Sequence, residues 1–173
     1  MRLYEPSVLD QIVLALIGEK PRHGFAVSKE LETDPSLSAV IRARRPLVYR
    51  SINSLVDAKL IRETKTEPGD QGSPRVVYAA NATGKATTTK WLNDTVDHPR
   101  DARIELLAKF VLRNRRAMSN KQLATRQRKL FERQAANLQV AANSATDDVR
   151  LVALWRVENI NAMIRLLDVV VKD

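Results

Sequence analysis

Apolar positions along this chain repeat with two different periods, and the changes of period mark its organisation. Val8, Leu9, Ile12, Val13, Leu16 and Ile17 follow helical spacing. Pro6 and Ser7 open this first helix, with Ser7 as its N-cap and Asp10 three residues on, where an acid is favoured. Gly18 and Pro21 bracket its end. A second helix is predicted over about 24–31 and is broken by Thr33-Asp34-Pro35-Ser36. A third begins at Pro46, because a proline's missing N–H costs nothing in a first turn. Its apolar stripe is Val48, Ile52, Leu55 and Val56. At about 100° per residue the opposite face carries Arg50, Asn53, Ser54 and Asp57, with Leu47 nearby and Tyr49 and Ser51 on the flanks.

The pattern then switches to strands at 60–66 and 75–80, joined by a polar tip, Pro68-Gly69-Asp70-Gln71-Gly72-Ser73-Pro74. Thr83 is expected to cap a helix running to about residue 95. Residues 96–99 read as a linker, and helical spacing resumes after it. Helices are predicted over about 102–115, from a Ser119 cap to about 142, and over about 148–171. In the last, Val157, Ile160, Ile164, Leu167 and Val171 follow 3-4-3-4 spacing, a coiled-coil-like seam widened by Val152, Met163 and Val170. A seam this broad needs a partner: the preceding helices, a second copy of the chain, or both.

A basic amphipathic helix followed by a hairpin has the form of a winged helix-turn-helix. The expected fold is therefore mainly α with a small β-hairpin. A winged helix-turn-helix over 1–95 is followed by a helical domain over 96–173.

Composition narrows the chemistry. The formal net charge is +9 and the pI about 10.2, a balance suited to an anionic partner. Aromatic residues make up only 5%, so the core is expected to be aliphatic. There is no cysteine, which excludes disulfides, thiolate catalysis, thiol redox sensing and Cys-ligated zinc. His23 and His98 lie far apart and argue against a histidine metal site. No metal and no cofactor are expected. The chain has no glycine-rich phosphate loop and no Ser/His/Asp pattern in a strand-turn context, so no enzyme is expected. No apolar run approaches the ~20 residues that span a bilayer. The opening Met-Arg-Leu-Tyr-Glu-Pro lacks a signal-peptide apolar region, and a cytoplasmic location is expected.

Several features then occur in a telling order. They are Ile12-Val13-Leu14-Ala15-Leu16-Ile17, His23-Gly24-Phe25, and Val48-Tyr49-Arg50-Ser51-Ile52-Asn53-Ser54-Leu55. Leu60-Ile61, Tyr78, Thr83-Gly84 and Trp91-Leu92 follow, and then the run from Asp101 to Phe110. In this order they resemble the PadR family of transcriptional regulators. The resemblance implies a repressor whose partner is a double-stranded DNA operator. It implies a homodimer formed through the C-terminal domain, placing two winged helices on the half-sites of a near-palindrome. It also implies a small aromatic effector. One departure stands out: Lys59 occupies a site where the family usually has glycine, and an αL conformation there costs a non-glycine roughly 1 kcal/mol.

The candidate DNA contacts are Arg42, Arg44, Arg45, Tyr49, Arg50, Ser51, Asn53, Ser54, Lys65 and Arg75. Arg42, Arg44 and Arg45 are assigned to phosphates and Arg50 to a base edge, preferably guanine. Tyr49 is read either as a phosphate donor or as a packing residue. Lys65 and Arg75 flank the hairpin tip; they would grip phosphates or deter edge-strand aggregation. Val157, Ile160, Ile164, Leu167 and Val171 are the candidate dimer contacts. Trp91 and Trp155 are candidates for stacking on an aromatic effector, against the alternative that each is core bulk. The segment 103–133 carries ten basic residues, read as a solvated helix face or as a flank for DNA. The alternative to a regulator is a helical interaction or scaffold protein whose basic surface meets RNA, non-specific DNA or an acidic protein.

Overall fold

The computed structural model describes residues 4–68 and 74–172. The chain divides into two compact units, Met1–Asn93 and Asp94–Asp173.

The first unit is built around α1 (Val8–Glu19). Every residue from Asp10 to Ile17 is buried, so this helix is apolar nearly all round and is wrapped by its neighbours. Its start is the expected capping box: Ser7 Oγ accepts from the Asp10 N–H at 3.2 Å, and Asp10 Oδ2 accepts from the Ser7 N–H at 2.9 Å. A two-residue strand, β1 (Arg22–His23), leads into α2 (Gly24–Thr33). His23 caps α2, its Nδ1 accepting the Ala26 N–H at 3.0 Å. The expected break at 33–36 ends α2 at Thr33, and Asp34 within it also serves as a cap. Asp34 Oδ1 accepts from the N–H groups of Ser36 and Leu37 and starts a short α3 (Pro35–Val40) that was not anticipated.

Next comes α4 (Arg45–Asp57), with Pro46 in its first turn as expected. It packs against α1 and α2. It ends in a Schellman arrangement: the Leu60 N–H reaches Leu55 O and the Lys59 N–H reaches Val56 O, each at 2.9 Å. Lys59 sits at the left-handed position with φ 56°. The helix therefore ends as it would with glycine, and the lysine absorbs the strain.

Two strands follow, β2 (Ile61–Glu67) and β3 (Arg75–Ala80). Both pair antiparallel, with a register shift between Glu63 and Lys65. The far side of β3 takes up β1, so the sheet order is β1-β3-β2 and the expected hairpin is a three-stranded sheet. Most of the polar tip, residues 69–73, lies outside the described residues. The unit closes with α5 (Ala82–Asn93). Its start is held by Asn81 rather than by Thr83: Asn81 Oδ1 accepts from the Gly84 N–H at 2.9 Å, while its Nδ2 donates to Lys59 O at 2.6 Å. Gly84 lets α5 approach closely, because a Cβ there would come within 2.1 Å of Leu60 O.

The second unit is helical: α6 (Pro99–Ala102), α7 (Glu105–Asn114), α8 (Lys121–Ser144) and α9 (Asp147–Lys172). The helix expected over about 102–115 is α7, which starts three residues later, and the short α6 precedes it. The segment read as a linker is docked on this unit. Gln127, fully buried, accepts from the Val96 N–H at 2.7 Å and donates to Val96 O at 2.8 Å. Lys109, 1% exposed, pairs with Glu105 and donates to Asp94 O, both at 2.8 Å. Buried polar groups with both partners in place rigidify a segment rather than loosen it. The core of the unit joins Leu106, Phe110, Leu123, Phe131, Ile160 and Leu167. Among the described residues, no helix is long and apolar enough to cross a membrane.

Candidate nucleic-acid interface

The outer face of α4 is the only helix face in the first unit that combines exposed arginine and asparagine with a strand pair on its C-terminal side, among the described residues. Packing on α1 and α2 buries Val48, Ser51, Ile52 and Leu55. Leu47, Tyr49, Arg50 and Asn53 are left exposed, and Ser54 is half-buried. Ser51 therefore requires a correction. It is 4% exposed and belongs to the inward arc, so it cannot touch a macromolecule at this face. Tyr49 is 41% exposed, and its ring lies over the backbone of Gly24. A Cβ on Gly24 would meet Tyr49 Cε1 at 2.8 Å, so glycine is what lets α2 and α4 come this close.

Arg42 and Arg44 are exposed in the segment leading into α4. With Arg45 they line an open cleft of about 910 Å³, whose far side is Ser28, Leu31 and Glu32 of α2 and Ser38 of α3. Arg45 and Arg75 come together: their guanidinium carbons stand 4.7 Å and 5.1 Å from the centroid of the Phe25 ring. One belongs to the start of α4 and the other to the start of β3. Lys65 is 63% exposed and forms an ion pair with Glu67 at 2.7 Å. That hydrogen bond, and then the Lys65 charge, hold the Glu67 carboxyl below its ordinary range. Solvent screening keeps an exposed pair of this kind weak, so Lys65 remains able to exchange its partner for a phosphate.

The remaining candidates lie elsewhere. Trp91, on α5, is 8% exposed, which favours the reading of this ring as buried bulk over an effector contact. Trp155 is 66% exposed. It lines a cleft of about 440 Å³ in the second unit with His98, Pro99, Arg100, Leu138, Asn159 and Met163.

The expected dimer seam also needs correction. Val157, Ile160 and Leu167 are buried against the chain's own α8, and Ile164 and Val171 pack on the same core. One partner of the seam is thus the preceding helix, among the alternatives its breadth allowed. A second apolar stripe, Leu151, Trp155, Leu166 and Val169, runs along the opposite side of α9 and is exposed.

Residue-by-residue reading missed Phe25. The available signal was a lone aromatic at a helix start in a chain with few aromatics. Its two cationic neighbours come from 20 and 50 positions away and leave no local trace.

A helix laid across two others, with a basic approach and a β-hairpin behind it, is a winged helix-turn-helix. The sequence model of the "Transcriptional regulator PadR-like family" matches residues 13–90, so the first unit of this chain is similar to that family. No curated protein matches the chain. Similar solved structures include Bacillus subtilis PadR in complex with operator DNA, at 18% identity over 96% of this chain and 99% of that one, with a TM-score of 0.49. Others are smu.1604c from Streptococcus mutans UA159 (15% identity, 95% and 98% covered, TM-score 0.44) and Bacillus subtilis PadR alone (17%, 99% and 97%, 0.44).

Proposed function

We propose that this chain is a sequence-specific DNA-binding repressor that acts as a homodimer on a near-palindromic operator and releases it on binding a small aromatic ligand. The observation that carries the reading is the outer face of α4. Arg50 and Asn53 stand exposed there, between the arginines of the approach segment and the strands of the wing. In this reading α4 enters the major groove. Arg50 makes a bidentate contact to guanine, and Asn53 and Ser54 read or support the neighbouring edge. Arg42, Arg44, Arg45, Lys65 and Arg75 fix the register through phosphates.

A second copy pairs through the outer stripe of α9, because water leaves four large apolar side chains there when the stripes meet. The dimer then sets two α4 helices about one turn of DNA apart, ~34–36 Å. An aromatic ligand in the cleft beside Trp155 touches the same stripe. It weakens DNA binding by as much as it prefers a different pairing angle of the α9 helices.

Arg50→Ala tests the reading. Specific binding should weaken by about 1–3 kcal/mol while binding to random duplex stays nearly unchanged. Equal weakening on both would make Arg50 a phosphate contact and remove α4 as the reading element.

A further inference from the structure

We propose that Phe25 is a positioning residue for DNA binding, its ring holding Arg45 of α4 and Arg75 of β3 as a two-guanidinium clamp on one phosphodiester. This deepens the reading above and rests on it.

The geometry starts from the ring. Phe25 is half-buried at the start of α2. Its neighbour His23 is fixed twice over. The imidazole Nδ1 accepts from the Ala26 N–H at 3.0 Å, and the His23 backbone pairs with Val77 of β3. The His23 ring stacks on Phe25 with centroids 6.2 Å apart and planes 25° from parallel. Phe25 is therefore anchored both to the head of α2 and, through β1, to the wing sheet.

Both guanidinium carbons lie within 5.1 Å of one point, the ring centroid. A guanidinium that meets an aromatic ring keeps its N–H donors, five in a rigid fork, for an oxyanion. Stacking and phosphate binding are thus compatible on one side chain. Each guanidinium is attracted to the ring's negative face, and the Glu67 carboxylate feels the Arg75 charge as well. Arg45 makes no ion pair among the described residues. A phosphodiester reaching both arginines would take charge-assisted bonds from each.

The arrangement ties the recognition helix to the wing. Arg45 moves with α4 and Arg75 with β3, and the ring that orients them belongs to neither element. Freed from the ring, each long side chain must be ordered anew on binding, and the cooperation between the two is lost. An apolar filler would do none of this. Leucine would fill the same space without a π face.

The experiment uses the full chain, a fluorescent random-sequence duplex and a salt series. Phe25→Leu should weaken binding about 5–10-fold, the loss of two exposed cation–π contacts. The slope of log K against log salt should become shallower by about one unit, the signature of one lost phosphate contact. Phe25→Tyr should restore affinity and slope. Arg45→Gln and Arg75→Gln should be non-additive with Phe25 present and additive in Phe25→Leu. The melting temperature of each variant is measured in parallel.

The clamp is overturned if Phe25→Leu binds as tightly and with the same slope as the parent. It is overturned equally if the loss tracks a lower melting temperature and Tyr fails to rescue it, or if the two arginine substitutions are additive with Phe25 in place. A parent protein that shows no salt-dependent duplex binding at all sinks the DNA reading and the clamp together. A parent that binds while Phe25→Leu leaves affinity and salt slope unchanged sinks the clamp alone.

Discussion

Lys59→Gly should make the first unit more stable, although it deletes a whole side chain. Lys59 holds φ 56° at the end of α4, where a Cβ crowds the following carbonyl. Its own amide and that of Leu60 close the helix, and its carbonyl accepts from Asn81, whose Oδ1 in turn caps α5. The site is over-determined, so the backbone cannot relax to a negative φ without losing three or four hydrogen bonds. The lysine side chain is exposed and makes no hydrogen bond or ion pair among the described residues. Relief of the left-handed strain is worth about 1–2 kcal/mol. The extra freedom of glycine in the unfolded chain returns about 0.5–1 kcal/mol of that. The net gain should be about 0.5–1 kcal/mol, or roughly 2–8 °C in melting temperature for a unit of this size.

The assay is thermal and urea unfolding followed by Trp91 fluorescence in a Trp155→Phe protein, since Trp91 is buried in the first unit. Lys59→Ala is the control. It removes the same side chain and keeps the strain, so it should match the parent within about 0.5 kcal/mol. If the glycine variant is no more stable than the alanine variant, the strain argument fails.

Two further outcomes concern the second unit. Leu166→Glu places a charge in the outer stripe of α9, where the side chain is 43% exposed in one chain. Sedimentation should turn from dimer to monomer while the helical content stays constant, and an unchanged dimer would move the interface elsewhere. In a Trp91→Phe protein, Trp155 is the sole tryptophan and can be excited selectively at the red edge. Its emission should be quenched by any aromatic compound that releases DNA, and release without quenching would place the ligand outside this cleft.

Much of the first unit was legible because its signals are local. Ser7 and Asp10 sit three apart and form the box that spacing implied. Pro46 falls in the first turn of α4, and the two strands emerge within a residue or two of their predicted ends. What was not legible depends on distant partners. The strand β1 is two residues long and exists only because β3 pairs with it. Ser51 lay on the flank of the wheel, and only the joint packing of α1 and α2 decides that the flank is inside.

The last helix shows the same limit differently. Apolar residues occupy two opposite sides of α9; periodicity picks out one seam, and the outer stripe emerges only with the structure. Three-dimensional packing assigns Val157, Ile160 and Leu167 to the chain's own core and leaves Leu151, Trp155, Leu166 and Val169 outside. The polar signals behaved likewise. Asn81 displaced Thr83 as the cap of α5 because it also reaches Lys59 O, a contact 22 positions away.

The most direct test of the central claim is selection of bound duplexes from a random-sequence pool by the intact protein at physiological salt. The expected result is a two-fold symmetric consensus with half-sites centred about 10–10.5 base pairs apart, or a multiple of that spacing. Arg50→Ala should erase preference at one guanine in each half-site. Binding that depends on salt but enriches no sequence would contradict it, leaving a basic surface without a reading element.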